Sequence, residues 1–132
     1  MTDIIYPTPE RIVEYNVLVL EIVKVKKADN PKVLSTSKLR EAIAECEDNP
    51  GDVYDKAAVL MKGLVQKHPF ASGNRRTAFV ATKEFILKNN AKFAISDDPD
   101  SAKVMQGLRE NYYSHEELKE WIQHGKIRGF KR

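Results

Sequence analysis

This 132-residue chain predicts an all-α fold, a compact bundle of about six helices. Apolar residues recur at the helical period in one segment after another. Residues that start or stop helices separate those segments: Thr8-Pro9, Asn30-Pro31, Asp52, Pro69, Asp98-Pro99, Ser114 and Gly125. Strand-like alternation is confined to Ile22-Val23-Lys24-Val25, so the β structure expected is one short hairpin near residues 24–36.

Thr8 is the predicted N-cap of the first helix, and Pro9 its first residue, where a missing N–H costs nothing. Ile12, Val13, Val17, Leu20 and Val23 form its apolar face, and it fades near Lys27. Ala28 to Lys32 turns, because a residue before proline is pushed out of the helical region. Ser35-Thr36-Ser37 offers N-caps for a second helix through about Cys46, which Asp48-Asn49-Pro50-Gly51 ends. Asp52 caps a third, with Val53, Ala57, Leu60, Leu64 and Val65 inward, and Pro69 forces its end near Lys67. A fourth starts at Gly73-Asn74, turns Thr77, Phe79, Val80, Phe85 and Ile86 inward, and stops at Asn89-Asn90. Ser96-Asp97-Asp98-Pro99 starts a fifth that reaches about Tyr112. Ser114 and Glu117 form a capping box for the sixth, which Gly125 ends. No repeat, low-complexity stretch or linker interrupts the pattern, so residues 1–132 read as one domain.

Composition excludes several classes. Hydrophobic residues at 42% and charged residues at 31% are ordinary for a globular protein with a core. A net charge of +3 is too small to argue for nucleic-acid binding, although Gly125 to Arg132 forms a basic tail, read as a short solvated terminus. The run Val17 to Val25 is too short and too charged to span a bilayer. Cys46 is the single cysteine and reads as a small packing residue. With no disulfide possible and no signal-peptide pattern, the expected setting is the cytoplasm.

The densest chemistry lies in His68-Pro69-Phe70-Ala71-Ser72-Gly73-Asn74-Arg75-Arg76-Thr77. His68 ends one helix, where an imidazole can donate to the last carbonyls or serve as a base. Phe70 is the expected core anchor of the loop. Gly73 opens a helix whose first N–H groups have no internal partner, a ready anion site. Asn74 either caps that helix or gives its amide to a phosphate. Arg75 and Arg76 stand where the helix dipole disfavours cations, so either a bound phosphate or a bidentate pair with a protein carboxylate must account for them.

His68 to Arg76 resembles the Fic/Doc family signature H-x-F-x-[D/E]-G-N-[G/K]-R. Tyr54 to Leu60, Thr77-Ala78 and Phe85 to Asn90 are similar to the Doc (death-on-curing) branch, and the resemblance covers roughly residues 8–95. It implies a helical fold and transfer of part of a nucleoside triphosphate, such as ATP, to a hydroxyl of a target protein. His68 then matches the general base, Phe70 the anchor, Gly73 and Asn74 the anion hole, and Arg76 a phosphate contact that acts in catalysis. A hairpin that docks the target backbone in this family has its counterpart around Lys26 to Ser35.

Two positions depart from the signature. Ser72 stands where the family has the acidic residue that holds Mg²⁺; a hydroxyl can ligate Mg²⁺ but carries no charge. Arg75 stands where nucleotidyl-transferring members have Gly and the Doc branch has Lys. The resemblance therefore implies a Doc-like toxin that transfers a phosphoryl group, with AMPylation or a catalytically degenerate nucleotide- or partner-binding protein as the alternatives. It further implies a translation factor as target type and a separate antitoxin partner. Ser37 to Ala42 is the nearest string to the family's self-inhibiting motif and fails at Ala42, so it reads as an ordinary capped helix.

Overall fold

α3 (Val53–Gln66) is the centre of the molecule. Against it pack α2 (Thr36–Asp48), α4 (Asn74–Lys88), α5 (Pro99–Arg109) and α6 (His115–His124), while α1 (Pro9–Ile22) lies across α4 and α2. The structure, a computed structural model, describes residues 3–22 and 31–131. Among these there are six α-helices and no strand.

The caps explain the boundaries. Ser35 accepts from the Lys38 N–H at the start of α2, and Asp98 accepts from Ser101 N–H at the start of α5. Asp52 with Asp55, and Ser114 with Glu117, close reciprocal capping boxes on α3 and α6. α2 runs two residues past the expected Cys46, to Asp48, because the ammonium of Lys56 gathers the carbonyls of Cys46, Glu47 and Asn49 at its end. α5 stops at Arg109 rather than Tyr112, because Asn111 adopts φ +57° and the Tyr112 N–H turns back to the Gly107 carbonyl.

Two further expectations are corrected, and a third lies largely outside the described residues. The buried ridge of α1 is Ile12, Tyr15, Asn16, Val19 and Leu20; Val13 and Val17 are only half-buried, displaced to its flank, and Val23 lies outside the described residues, as does the expected fade near Lys27. The hairpin expected near residues 24–36 lies largely outside the described residues, which resume at 31. Residues 32–35 run beside the His68 loop, with one bridge between Val33 and Phe70. The basic tail is not a free solvated end: Phe130 packs on Tyr112, the Arg128 guanidinium lies 4.0 Å over that ring, and Glu117 pairs with it. An apolar ring and a cation–π contact hold residues that charge alone would leave in water.

Within the core, Gly63 lets α2 approach α3, since a Cβ there would stand 3.1 Å from the Ala42 methyl. Asp55 pins α3 to α6: its carboxylate accepts from His115 at 2.9 Å and pairs with Lys119 at 3.0 Å. The His115 hydrogen bond is the main reason its pKa falls to about 2. Cys46 is fully buried, and burial pushes its thiol up to about 12, as befits a packing residue. No described helix is long and apolar enough to cross a membrane.

Candidate active site

The loop between α3 and α4 holds the predicted residues together, and its shape begins with the end of α3. Lys67 closes that helix with a bond to the Gly63 carbonyl, and His68 follows in the left-handed region at φ +53°. Glycine is the usual occupant of such a position. The left-handed turn reverses the chain, so the exposed imidazole swings away from the carbonyls of α3 and toward the start of α4. Of the two roles that the sequence leaves open for His68, this placement turns the imidazole from the end of its own helix: its Nδ1 lies 3.2 Å from the Asn74 amide nitrogen.

Asn74 does not cap α4, which has no side-chain cap. Its buried side chain clamps the loop: Oδ1 accepts from the Phe70 N–H at 3.0 Å, and Nδ2 donates to the Phe70 carbonyl at 2.8 Å. These two backbone bonds fix which way the amide points, and its second N–H is thereby aimed at His68 Nδ1. Nδ1 must accept, so the neutral ring carries its proton on Nε2. Taking up a proton requires the ring to release Asn74 or to turn about Cβ–Cγ. The Asn74 amide is thus engaged within the loop at all of its polar positions rather than held open for an anion.

Phe70 is buried to 1% and anchors the loop as expected. Lys32, Leu34 and Ser35 join their backbones to Pro69 and Ala71 at 2.8–3.1 Å, which ties the segment entering α2 to the same loop. Asn16 was not anticipated. It is a polar residue on the apolar ridge of α1, 1% exposed, and donates to the Ser72 carbonyl at 2.9 Å and to Thr77 Oγ1 at 3.1 Å. Its polarity among Ile12, Val19 and Leu20 was the available signal. Gly73 stands at φ +76° directly over this ridge; a Cβ there would meet Leu20 at 3.1 Å and Asn16 at 3.3 Å. The helix start can approach α1 this closely only through glycine.

Above the loop lies a cavity of about 310 Å³, bordered by His68, Ser72, the first turn of α4 with Arg75 and Arg76, and Arg109 from α5. A second cavity of about 330 Å³ adjoins it across Arg75 and Arg76 and is floored by Phe79, Ser101 and Met105. Arg76 makes the bidentate carboxylate pair left open above: its two terminal nitrogens meet the oxygens of Asp97 at 2.9 and 3.3 Å. Both partners are about half exposed, so phosphate could exchange for Asp97 at small cost. Arg75 and Arg109 have no ion-pair partner among the described residues. Arg109 and Asp97, both beyond the signature, carried no motif by which sequence could place them here.

The donor set does not fit Mg²⁺. Ser72 offers a neutral oxygen, the cavity is bordered by three arginines and no carboxylate among the described residues, and the oxygens of nearby Asp97 are engaged by Arg76. Elsewhere, Asp55, His115 and Glu116 place ligand atoms within 4.8 Å of one another, but the Lys119 ammonium already holds Asp55.

A left-handed histidine, a glycine-opened helix and an asparagine-clamped loop define the class. The chain belongs to the Fic/DOC family, whose model matches residues 2–86. It is similar to Toxin Doc of Mycolicibacterium smegmatis, 38% identical over 50 residues; that match spans 38% of this chain and 38% of the relative.

Proposed function

We propose that this chain is a Doc-like toxin that transfers the terminal phosphoryl group of a nucleoside triphosphate to a hydroxyl of a target protein. The observation that carries this reading is the convergence, on one cavity, of His68, the open N–H groups of α4 and Arg75. The triphosphate enters with its terminal phosphate over the first turn of α4 and the rest of the nucleotide in the adjoining cavity floored by Phe79 and Met105. The target hydroxyl attacks the γ-phosphorus, a new O–P bond forms, the bond to the β–γ bridging oxygen breaks, and nucleoside diphosphate leaves. His68 takes the hydroxyl proton, which fits its place at the rim of the cavity once the ring frees its lone pair from Asn74. Arg75, longer than the Gly of nucleotidyl-transferring members, favours the terminal-phosphate orientation over AMPylation. A translation factor as target and a separate antitoxin as partner belong to the same reading.

The test incubates the protein with a cell extract and ATP labelled at either the α or the γ phosphate. Label on protein from γ alone supports the proposal; label from α means nucleotidyl transfer. Ser72 and the Arg76–Asp97 pair favour a second reading, a binding protein of this fold with little catalysis, and absence of label from both positions would put it first.

A further inference from the structure

The residues of the His68 cavity disagree with the metal that the family signature implies, and the disagreement has a pattern. A carboxylate with Mg²⁺ brings a net charge of about +1 beside the phosphates, the sum of a divalent cation and one anionic ligand. This chain lacks the carboxylate at Ser72, and Arg109, with no ion-pair partner among the described residues, borders the same cavity. Its guanidinium brings a charge of +1 to the cavity with no metal present. A Mg²⁺ ion placed here would face three guanidinium groups with no anionic protein ligand, whereas a phosphate would face the forks of Arg75 and Arg109, with that of Arg76 added once it leaves Asp97.

We propose that this cavity binds the phosphates of its ligand without a divalent cation, and that Arg109, with Arg75, supplies the charge that the metal supplies in acidic-motif relatives. The inference rests on the phosphate-binding reading above. Arg109 also sits in the last turn of α5, where a cation stabilises the helix, so a purely structural role must be separable. Free ATP carries more negative charge than its Mg²⁺ complex, so an all-arginine site holds the metal-free form at least as tightly.

The experiment is calorimetric titration of the protein with ATP, once in EDTA and once in Mg²⁺, for the parent, Arg109→Gln and Ser72→Asp, with thermal melting of each. The parent should bind ATP in EDTA as tightly as in Mg²⁺ or tighter. Arg109→Gln should lose about tenfold in EDTA, the scale of one charge-assisted contact, with its melting midpoint kept. Ser72→Asp should bind less tightly in EDTA and regain affinity with Mg²⁺. Parent binding that requires Mg²⁺ would overturn the inference and leave the phosphate-binding reading intact. No binding in either condition would overturn both. Parent-like affinity in Arg109→Gln would remove Arg109 from the site.

Discussion

Replacing His68 by glycine and, separately, by alanine isolates the backbone strain that aims the imidazole. At φ +53° a residue with a Cβ carries about 1–2 kcal/mol that glycine does not. Both variants lose the ring and its contact with Asn74, so that loss cancels between them. Glycine's freer unfolded chain returns about 0.4–1 kcal/mol. The glycine variant should therefore be the more stable by about 1 kcal/mol. An unfolding entropy of about 2.1 cal/mol/K per residue, taken over 132 residues, converts this to a melting midpoint about 4 °C higher than that of the alanine variant. Scanning calorimetry reads the difference, and the labelled-ATP assay should find transfer abolished in both. Equal midpoints, or alanine above glycine, would refute the claim that strain at the end of α3 positions the base.

Asp97→Asn should free Arg76 and tighten ATP binding by up to about fivefold, since an exposed pair is worth no more than about 1 kcal/mol; unchanged or weaker binding would mean that Arg76 does not reach phosphate. Asn16→Ala leaves the Ser72 carbonyl and Thr77 hydroxyl without their buried donor and should cost about 1–3 kcal/mol in urea unfolding, with a parallel loss of ATP affinity from a loosened loop. Asp55, held down to about 2 from 3.8, contributes stability that is fully present above the unfolded value and is lost as pH falls from 3.8 toward 2. Urea midpoints measured across that window should fall less steeply for Asp55→Asn than for the parent, and identical slopes would show that the His115 and Lys119 contacts are not formed in solution.

What was legible in the sequence was local. Ser35, Asp52, Asp98 and Ser114 cap helices because a short side-chain oxygen needs only the next turn's N–H, an interaction contained within four residues. The His68-to-Arg76 loop was legible for the same reason. What sequence missed depends on contacts between distant segments. Asn16 reaches Ser72, Asp97 reaches Arg76, and Arg109 reaches the cavity only after α1, α4 and α5 have packed. Arg128 and Phe130 read as a solvated end because charge dominates that stretch, while Tyr112 and Tyr113, which receive them, lie in a loop fifteen or more residues earlier. On α1, Ile12 and Leu20 are buried as the helical period implies, whereas Val13 and Val17, equally apolar, are only half-buried, and Asn16, which is buried, is polar.

The placement of Arg109 and Asp97 gives the molecule a division of labour that can be exchanged piecewise. The residues proposed for the chemistry lie within 2–86, the stretch the family model recognises, whereas Arg109 joins the cavity from α5 and Asp97 holds Arg76 from the loop before it. On the proposed reading, grafting a different fifth helix onto the same first four would alter how an anion is held at Arg109, while the His68 loop kept its geometry. A fragment cut after α4 would keep the His68-to-Arg76 loop and lose one of the three arginines that border the cavity. The signature names the tool; the helix beyond it sets the handle.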